Sequence, residues 1–412
     1  MRSDEVHSSL KLEKGLAAPY ENTWFVIPQA PPRETPLSGV LRHLGEANRI
    51  LQGLPSAASL SSLDRLVLAL FVKREAVASS RMEGTWSTID HVLTPGELYD
   101  LNDRSARASV LGYAHALENI FDMVASQGAE ALNIDLIKDM HKQIMSGDPD
   151  YRGMPGLLRS EEEPPRYVTI GGFPRVENST YNPAPPLCIP EKMSELLGWM
   201  KDDILIDLGN AGMGMSLLVR MVIAHVHFEA IHPFRDGNGR IGRMLMAVQM
   251  IGEGFSPLYL SGYIEIKKDQ YIKGLEQAQK KLNYAPIVEF FSEAVIECSK
   301  EFQITKSALL ALPERWQESS GFRKGAAAAR MLEHLLIYPI FSVKILMNLL
   351  EVSAPAANRA VEQLVDAGIV RERTGFGRNR IFAAEEVISL LSRPMTESVE
   401  DSLLRAKSLL GT

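Results

Sequence analysis

His232-Pro233-Phe234-Arg235-Asp236-Gly237-Asn238-Gly239-Arg240-Ile241-Gly242-Arg243 runs directly into the apolar stretch Met244-Leu245-Met246-Ala247-Val248-Gln249-Met250-Ile251. The apolar stretch reads as a buried helix, and the residues before it as the loop and first turn that lead into it. Backbone N–H groups at a helix start lack intrahelical partners and lie at the positive end of the dipole, so they attract anions. Gly237 and Gly239 let the backbone come close to such an anion, and Asn238 tolerates the unusual dihedrals between them. With a helix start near Asn238, Arg240 and Arg243 share one face, and a guanidinium fork suits phosphate oxygens. A neutral imidazole at His232 can take the proton of an attacking hydroxyl. Asp236, the loop's only carboxylate, suits a turn or cap and equally the hard-oxygen demand of Mg²⁺. The local chemistry is that of a polyphosphate cradle with a histidine at its lip.

Two other readings of the same region fail. Gly237-Asn238-Gly239-Arg240-Ile241-Gly242 matches the G-x-G-x-x-G dinucleotide pattern, but the preceding Val222–Glu229 reads as helix rather than strand. No acidic residue follows at the place that would complete a βαβ unit. His225, His227 and His232 suggest zinc, yet residues two apart on a helix diverge by about 200°. His225 and His227 therefore read as structural or pocket-lining.

The chain has 412 residues, enough for two or three domains with substantial cores. A 45% apolar and 23% charged composition is that of an ordinary globular protein. The net charge of −7 argues against a surface built wholly for nucleic acid. Cys188 and Cys298 are the only cysteines, which gives no disulfide framework and no metal spacing and suits a reducing cytosol. The start lacks a signal-like apolar core, and no uncharged apolar run approaches the roughly 18–20 residues of a membrane span. The expectation is a cytoplasmic protein with no membrane partner.

Outward from the loop, helical periodicity dominates from residue 41 onward. Helices are expected at 62–81, 105–124, 134–145, 190–205, 215–230, 239–253, 267–282 and 286–302. Residues 1–40 read as Pro-rich and irregular. Residues 152–190 are rich in Pro and Gly, with a short β-like run over Arg166–Ile170 ending at Gly171-Gly172, which reads as a hairpin or flap. The stretch 301–325 reads as a linker to a separate C-terminal unit at 326–395, with a tail at 396–412. In that unit helices to about Tyr338, at Val343–Leu350 and to Asp366 precede strands at 369–373 and 378–382 around a Gly375-Phe376-Gly377 turn. This order resembles a winged helix. Arg371, Arg373, Arg378 and Arg380 against Glu372 make its hairpin basic, which makes DNA a candidate partner.

The 232–243 run resembles the signature of the Fic family at each of its fixed positions: His232, Pro233, Phe234, Asp236, Gly237-Asn238-Gly239-Arg240 and Arg243. Members mostly transfer AMP from ATP to protein hydroxyls. The resemblance implies a mainly α fold: an N-terminal helical region (1–100), a Fic-type helical core with a small β-hairpin flap (101–300), and the winged helix. It makes His232 the base, Asp236 the Mg²⁺ contact and Arg243 the γ-phosphate holder. Pro233 and Phe234 anchor the loop, and the nucleotide-binding set runs through Phe234, Arg235, Asp236, Gly237, Asn238, Gly239, Arg240 and Arg243.

The same resemblance places Val168, Thr169, Ile170 and Gly171 in a flap that clamps nucleotide and pairs with a target segment by strand addition. It matches Tyr271 to a tyrosine near the adenine, with Ile272 where relatives often carry a second tyrosine. Ser79-Ser80-Arg81-Met82-Glu83-Gly84 resembles the family's inhibitory pattern. Ser79 and Glu83 share a helix face, and Gly84 suits a helix stop. Glu near a helix C-terminus opposes the dipole and asks for a cation; the resemblance supplies Arg243. The implied partners are ATP, Mg²⁺ and a target protein bearing a Ser, Thr or Tyr hydroxyl, with the chain itself as another target and a second copy as a candidate dimer partner. Two alternatives stand beside this: the same site used for AMP removal or for another nucleotide or phosphate group, and a nucleotide-sensing, DNA-binding regulator.

Overall fold

Leu217–Ile231 is apolar around nearly its whole circumference, and a helix of that kind is stable only inside a core. Every one of its residues is buried. The computed structural model describes residues 1–16, 18–98, 104–148, 150–171, 175–210, 215–375 and 379–410. In chain order the helices are α1 (Leu41–Gln52), α2 (Ser62–Met82), α3 (Ile89–Leu93), α4 (Arg104–Gln127), α5 (Ile134–Met145) and α6 (Ile189–Met200). Then follow α7 (Asp203–Asn210), α8 (Leu217–Ile231), α9 (Asn238–Gly252), α10 (Ser261–Ile266), α11 (Lys268–Lys281) and α12 (Ala285–Ser320). The last are α13 (Ala327–Ile337), α14 (Val343–Leu350), α15 (Ala354–Asp366), α16 (Glu385–Ser392) and α17 (Val399–Leu410). Short strands are β1 (Lys11–Lys14), β2 (Trp24–Ile27), β3 (Ile340–Ser342), β4 (Arg371–Glu372) and β5 (Ile381–Ala383). The chain is mainly α. It forms two compact units, residues 1–60, 78–85 and 111–299 in one and 61–77, 86–110 and 300–412 in the other.

In the first unit α1, α6, α7, α9 and α11 all pack on α8. Residues 1–40 are not irregular throughout, because β1 and β2 pair antiparallel with Lys11 opposite Ile27 and Lys14 opposite Trp24. The hairpin ends just before Pro28, where the proline cluster begins to remove ladder donors. The helix expected over 190–205 is two helices, since Asp202 accepts from the Leu205 N–H (3.1 Å) and starts α7 afresh. The expected β-hairpin flap reduces to one antiparallel bridge, Ile170 to Tyr181. Pro164 and Pro165 lack N–H donors, which shortens any ladder upstream; Gly172 lies outside the described residues.

In the second unit α13, β3, α14 and α15 precede β4 and β5, and the antiparallel sheet has the order β3-β5-β4. The two foreseen strands are present but shorter, and β3 was not foreseen. Phe376, Gly377 and Arg378 of the expected turn and wing lie outside the described residues, as do 99–103, where the expected boundary at residue 100 falls. The expected linker is helical to Ser320, because Leu309, Leu312 and Trp316 are buried along one face of α12. That burial outweighs the helix hydrogen bond that Pro313 removes. The expected tail forms α17, which packs on α16.

Glu301 in this unit binds three partners at once, accepting from Arg74, Arg393 and Thr305. Described arginines of the β4–β5 region are paired with carboxylates. Arg371 and Arg373 donate to the buried Glu385, Arg373 also to Asp90, and Arg380 lies 3.7 Å from Glu372. Among the described residues no helix is long and apolar enough to cross a membrane.

Candidate functional site

α8 ends at His232, which adopts the left-handed region (φ 51°, ψ 62°). A non-glycine residue there costs about 1–2 kcal/mol and persists only where its surroundings over-determine it. Arg159 does much of that. Its buried guanidinium donates to the carbonyls of His232 (2.6 Å), Ile231 (3.0 Å), Ala184 (2.7 Å) and Arg166 (3.1 Å). Burial pulls its pKa down to about 9. One side chain thus ties the end of α8 to the base of the flap.

The loop from Pro233 to Gly237 is held from two sides. Asn238 clasps Phe234, its Nδ2 donating to the Phe234 carbonyl and its Oδ1 accepting from the Phe234 N–H, both at 2.8 Å. Asn238 is therefore helical and a clasp, and the left-handed position belongs to Gly237 (φ 77°). His141 stacks on Phe234 with centroids 3.8 Å apart. Its Nδ1 accepts from the Gly156 N–H (2.8 Å), so Nε2 carries the proton and donates to the Asp236 carbonyl (3.1 Å). Burial lowers the His141 pKa to about 4, so the ring stays neutral.

α9 begins at Asn238, and the N–H groups of its first turn have no earlier helical carbonyl to meet. The Asp236 carboxylate is exposed beside them, with Oδ1 accepting from the Gly237 N–H (2.6 Å). Arg235 donates to the Arg152 carbonyl (3.1 Å). Arg240 is buried and turns toward α5, 3.6 Å from Asp148 and 3.1 Å from the Met145 sulfur. Arg243 turns instead toward α2. The two arginines expected on one face thus serve different neighbours.

The residues of the inhibitory pattern meet Arg243 directly. Its Nε donates to Ser79 Oγ (2.9 Å), and one terminal nitrogen donates to the Ser79 carbonyl (2.8 Å) and to Glu83 Oε1 (2.7 Å). Gly84 is left-handed (φ 82°) and α2 stops there, the Thr85 N–H returning to the Ser80 carbonyl (3.0 Å). Lys268 caps the same end by donating to the Met82 carbonyl (3.0 Å). A Cβ on Gly239 would lie 2.3 Å from Glu83 Oε1, so the glycine is what lets the carboxylate approach. Partial burial would raise the Glu83 carboxyl, but Arg243, with Arg240 and His232, holds it below the usual carboxylate range. Burial opposes the charge on Arg243, and Glu83 more than restores it.

The flap residues Val168, Thr169 and Ile170 are half-buried and Gly171 is exposed. The Ile170 N–H donates to the Tyr181 carbonyl (2.8 Å), and the Thr180 N–H returns to the Ile170 carbonyl (2.8 Å). Tyr271 is only 4% exposed, enclosed by Phe290 and Phe291, with its hydroxyl on His225 Nε2 (2.8 Å). It stands as a brace behind α8 rather than on an open face. His227 meets Tyr284 (2.9 Å), so the two α8 histidines have separate partners and do not converge.

The arrangement is a helix start that follows the His232 loop, with an arginine of the same helix already engaged by a carboxylate from α2. Residues 131–250 match the model of the Fic/DOC family and residues 41–122 that of the Fic/DOC family N-terminal region. These two stretches, 41–122 and 131–250, are the parts of the chain that match the Fic/DOC family. Over 163 residues it is 28% identical to protein adenylyltransferase fic-1 of Caenorhabditis briggsae and 26% identical to that of Caenorhabditis elegans. Each match covers 39% of this chain and 27% of the relative, so the chain spans about a quarter of these curated relatives. A crystal structure of a Fic family protein from Desulfovibrio desulfuricans G20 shares the fold, with a TM-score of 0.51 and 20% identity over 87% of this chain and 98% of that one.

Proposed function

We propose that the chain is a protein adenylyltransferase that moves AMP from ATP to a Ser, Thr or Tyr hydroxyl of a target protein, and that Glu83 restrains it through Arg243. One observation carries the reading: the first turn of α9 follows the His232 loop, and its Gly239 stands against the Arg243 guanidinium and the Glu83 carboxylate that holds it. The family match and the adenylyltransferase names of the relatives support it.

In the proposed reaction His232 Nε2 takes the hydroxyl proton while the oxygen attacks the α-phosphorus of ATP. The bond to the β-phosphate bridging oxygen breaks and pyrophosphate leaves. The N–H groups of Asn238, Gly239 and Arg240 stabilise charge on the phosphate oxygens. Arg243 holds the terminal phosphate once Glu83 has left it. The exposed Asp236 carboxylate fits a hard cation, and Mg²⁺ bound there would neutralise phosphate charge. His232 is pulled down to about 3, by burial first and the Arg159 charge second, so its ring is neutral at pH 7 and keeps one nitrogen lone pair. The half-buried Val168–Ile170 backbone is the proposed edge for a target segment.

The α13–α15 unit with its three-stranded sheet reads as a winged helix. Arg371, Arg373 and Arg380 are engaged by Glu385, Asp90 and Glu372, which favours a protein-contact role over DNA.

Incubation with ATP labelled at either end tests the reaction. Label from the α-phosphate is expected on protein and label from the γ-phosphate only in pyrophosphate. Transfer of γ-label to protein would make the chain a kinase, and no transfer of either by a Glu83→Gly chain would remove the enzyme reading.

A further inference from the structure

Glu229 is buried one turn before His232 on α8, with 7% of its surface exposed. Its Oε1 has no hydrogen-bond partner among the described residues, and neither has His232 Nδ1. Buried polar atoms without partners are rare and ask for an explanation. The two groups lie near each other, with Glu229 Oε2 3.8 Å from His232 Nδ1. α9 is shaped around this carboxyl. A Cβ on Gly242 would stand 2.5 Å from Glu229 Oε1 and 3.1 Å from His225 Nδ1, so this glycine makes room for the acid.

We propose that Glu229 is a positioning residue for the reaction, accepting the Nδ1 proton of His232 so that Nε2 faces the incoming hydroxyl as a bare acceptor. The inference rests on the adenylyltransferase reading, in which His232 is the base. The contact is longer than a hydrogen bond, and such contacts tighten when substrate binds. When Nε2 takes the hydroxyl proton, the imidazolium then has a carboxylate behind Nδ1. A protonated carboxyl does the reverse: it donates to Nδ1, leaves the ring proton on Nε2 and blocks the base.

The surroundings make this a real choice. Burial pushes the Glu229 carboxyl up to about 8, Arg243 of α9 acts against that shift, and Glu83 of α2 adds to it. His225 and His232 of α8 and Tyr271 of α11 complete the titratable groups facing it. The raised value means that proton loss from Glu229 switches the site on as pH rises toward 8.

The test uses the full chain with Glu83→Gly as parent. The Glu229→Gln chain should show kcat about 10- to 100-fold lower, with KM for ATP changed less than about twofold. The parent's rate should climb with pH through the range set by Glu229, and that limb should vanish in the Glu229→Gln chain. Glu229→Asp, which keeps a carboxylate, should recover part of kcat and the limb. Equal kcat and an unchanged limb in the Glu229→Gln chain would overturn the proposal. Nitrogen NMR of His232 gives a readout independent of turnover: the Nδ1–H tautomer should dominate in the parent above the limb and lose dominance in the Glu229→Gln chain. The same tautomer in both chains at every pH would overturn it too. A parent that transfers no label fails the adenylyltransferase reading, and the tautomer measurement still decides the role of Glu229.

Discussion

Replacing Glu83 by glycine is expected to raise AMP transfer, measured with α-labelled ATP, by about 10- to 100-fold. The magnitude follows from the contact that must be broken before Arg243 can hold a phosphate. A hydrogen bond between charged groups in a partly buried setting is worth about 1.5–3 kcal/mol, which corresponds to that factor. The same substitution takes the Glu83 carboxylate away from the 5% exposed Arg243, which keeps Ser79 Oγ and the Ser79 carbonyl. The ligand-free chain should therefore melt lower, and magnesium ATP should raise its Tm more than it raises that of the unsubstituted chain. Equal labelling by both chains would remove the brake from the account.

The contact also determines what can release it. The folded pKa of Glu83 is lowered, so its pairing is fully present above the unfolded carboxylate value and is lost only as pH falls through the still lower folded one. Near neutrality the pair does not titrate. Release has to come from displacement of α2's last turn, or of the carboxylate itself, by a partner or by nucleotide.

The His232→Ala substitution, made in the Glu83→Gly chain, is expected to lower transfer by about 10²- to 10⁴-fold, the usual worth of a positioned base. ATP affinity should change only a few-fold, because the imidazole addresses the hydroxyl proton while α9 and Arg243 address the phosphates. A loss of nucleotide binding as large as the loss of rate would mean that His232 holds the loop rather than serving as the base. Its left-handed backbone makes that comparison worth measuring, although alanine at the same dihedrals keeps the Arg159 contact to the main-chain carbonyl.

The sequence carried the site wherever the chemistry is local. Gly237, Asn238 and Arg243 lie within one loop and two helical turns, and Ser79, Glu83 and Gly84 within one helix end, although the unusual dihedral expected at Asn238 falls on Gly237. Arg159, His141 and Glu229 escaped because their partners are made by tertiary packing. The Arg159 contact to His232 spans 73 positions and the His141 contact to Asp236 spans 95. Glu229 lies on α8, three residues before the signature, where it reads as one polar residue among apolar ones, and its meaning comes from the close approach of Gly242 on the neighbouring α9.

Helices were legible from 3.6-residue periodicity, Ile134–Met145 and Val343–Leu350 to the residue. Local signals misled where packing overrode them: Pro313 reads as a break but rides within α12 because Trp316 and Leu312 are buried on either side of it. The Arg166–Ile170 run has strand-like composition, but among the described residues it pairs through the single bridge of Ile170 to Tyr181. The wing arginines look like free cations in the sequence, whereas folding brings Glu385 and Asp90 to them.

A crystal structure of the Glu83→Gly chain with magnesium and a non-hydrolysable ATP analogue tests the account's central claim most directly. The predicted result has the triphosphate over the N–H groups of Asn238 to Arg240, its terminal phosphate on the Arg243 guanidinium, and the α-phosphorus facing His232 Nε2. A nucleotide bound with its phosphates away from α9, or Arg243 left on Ser79 with no phosphate contact, would contradict it.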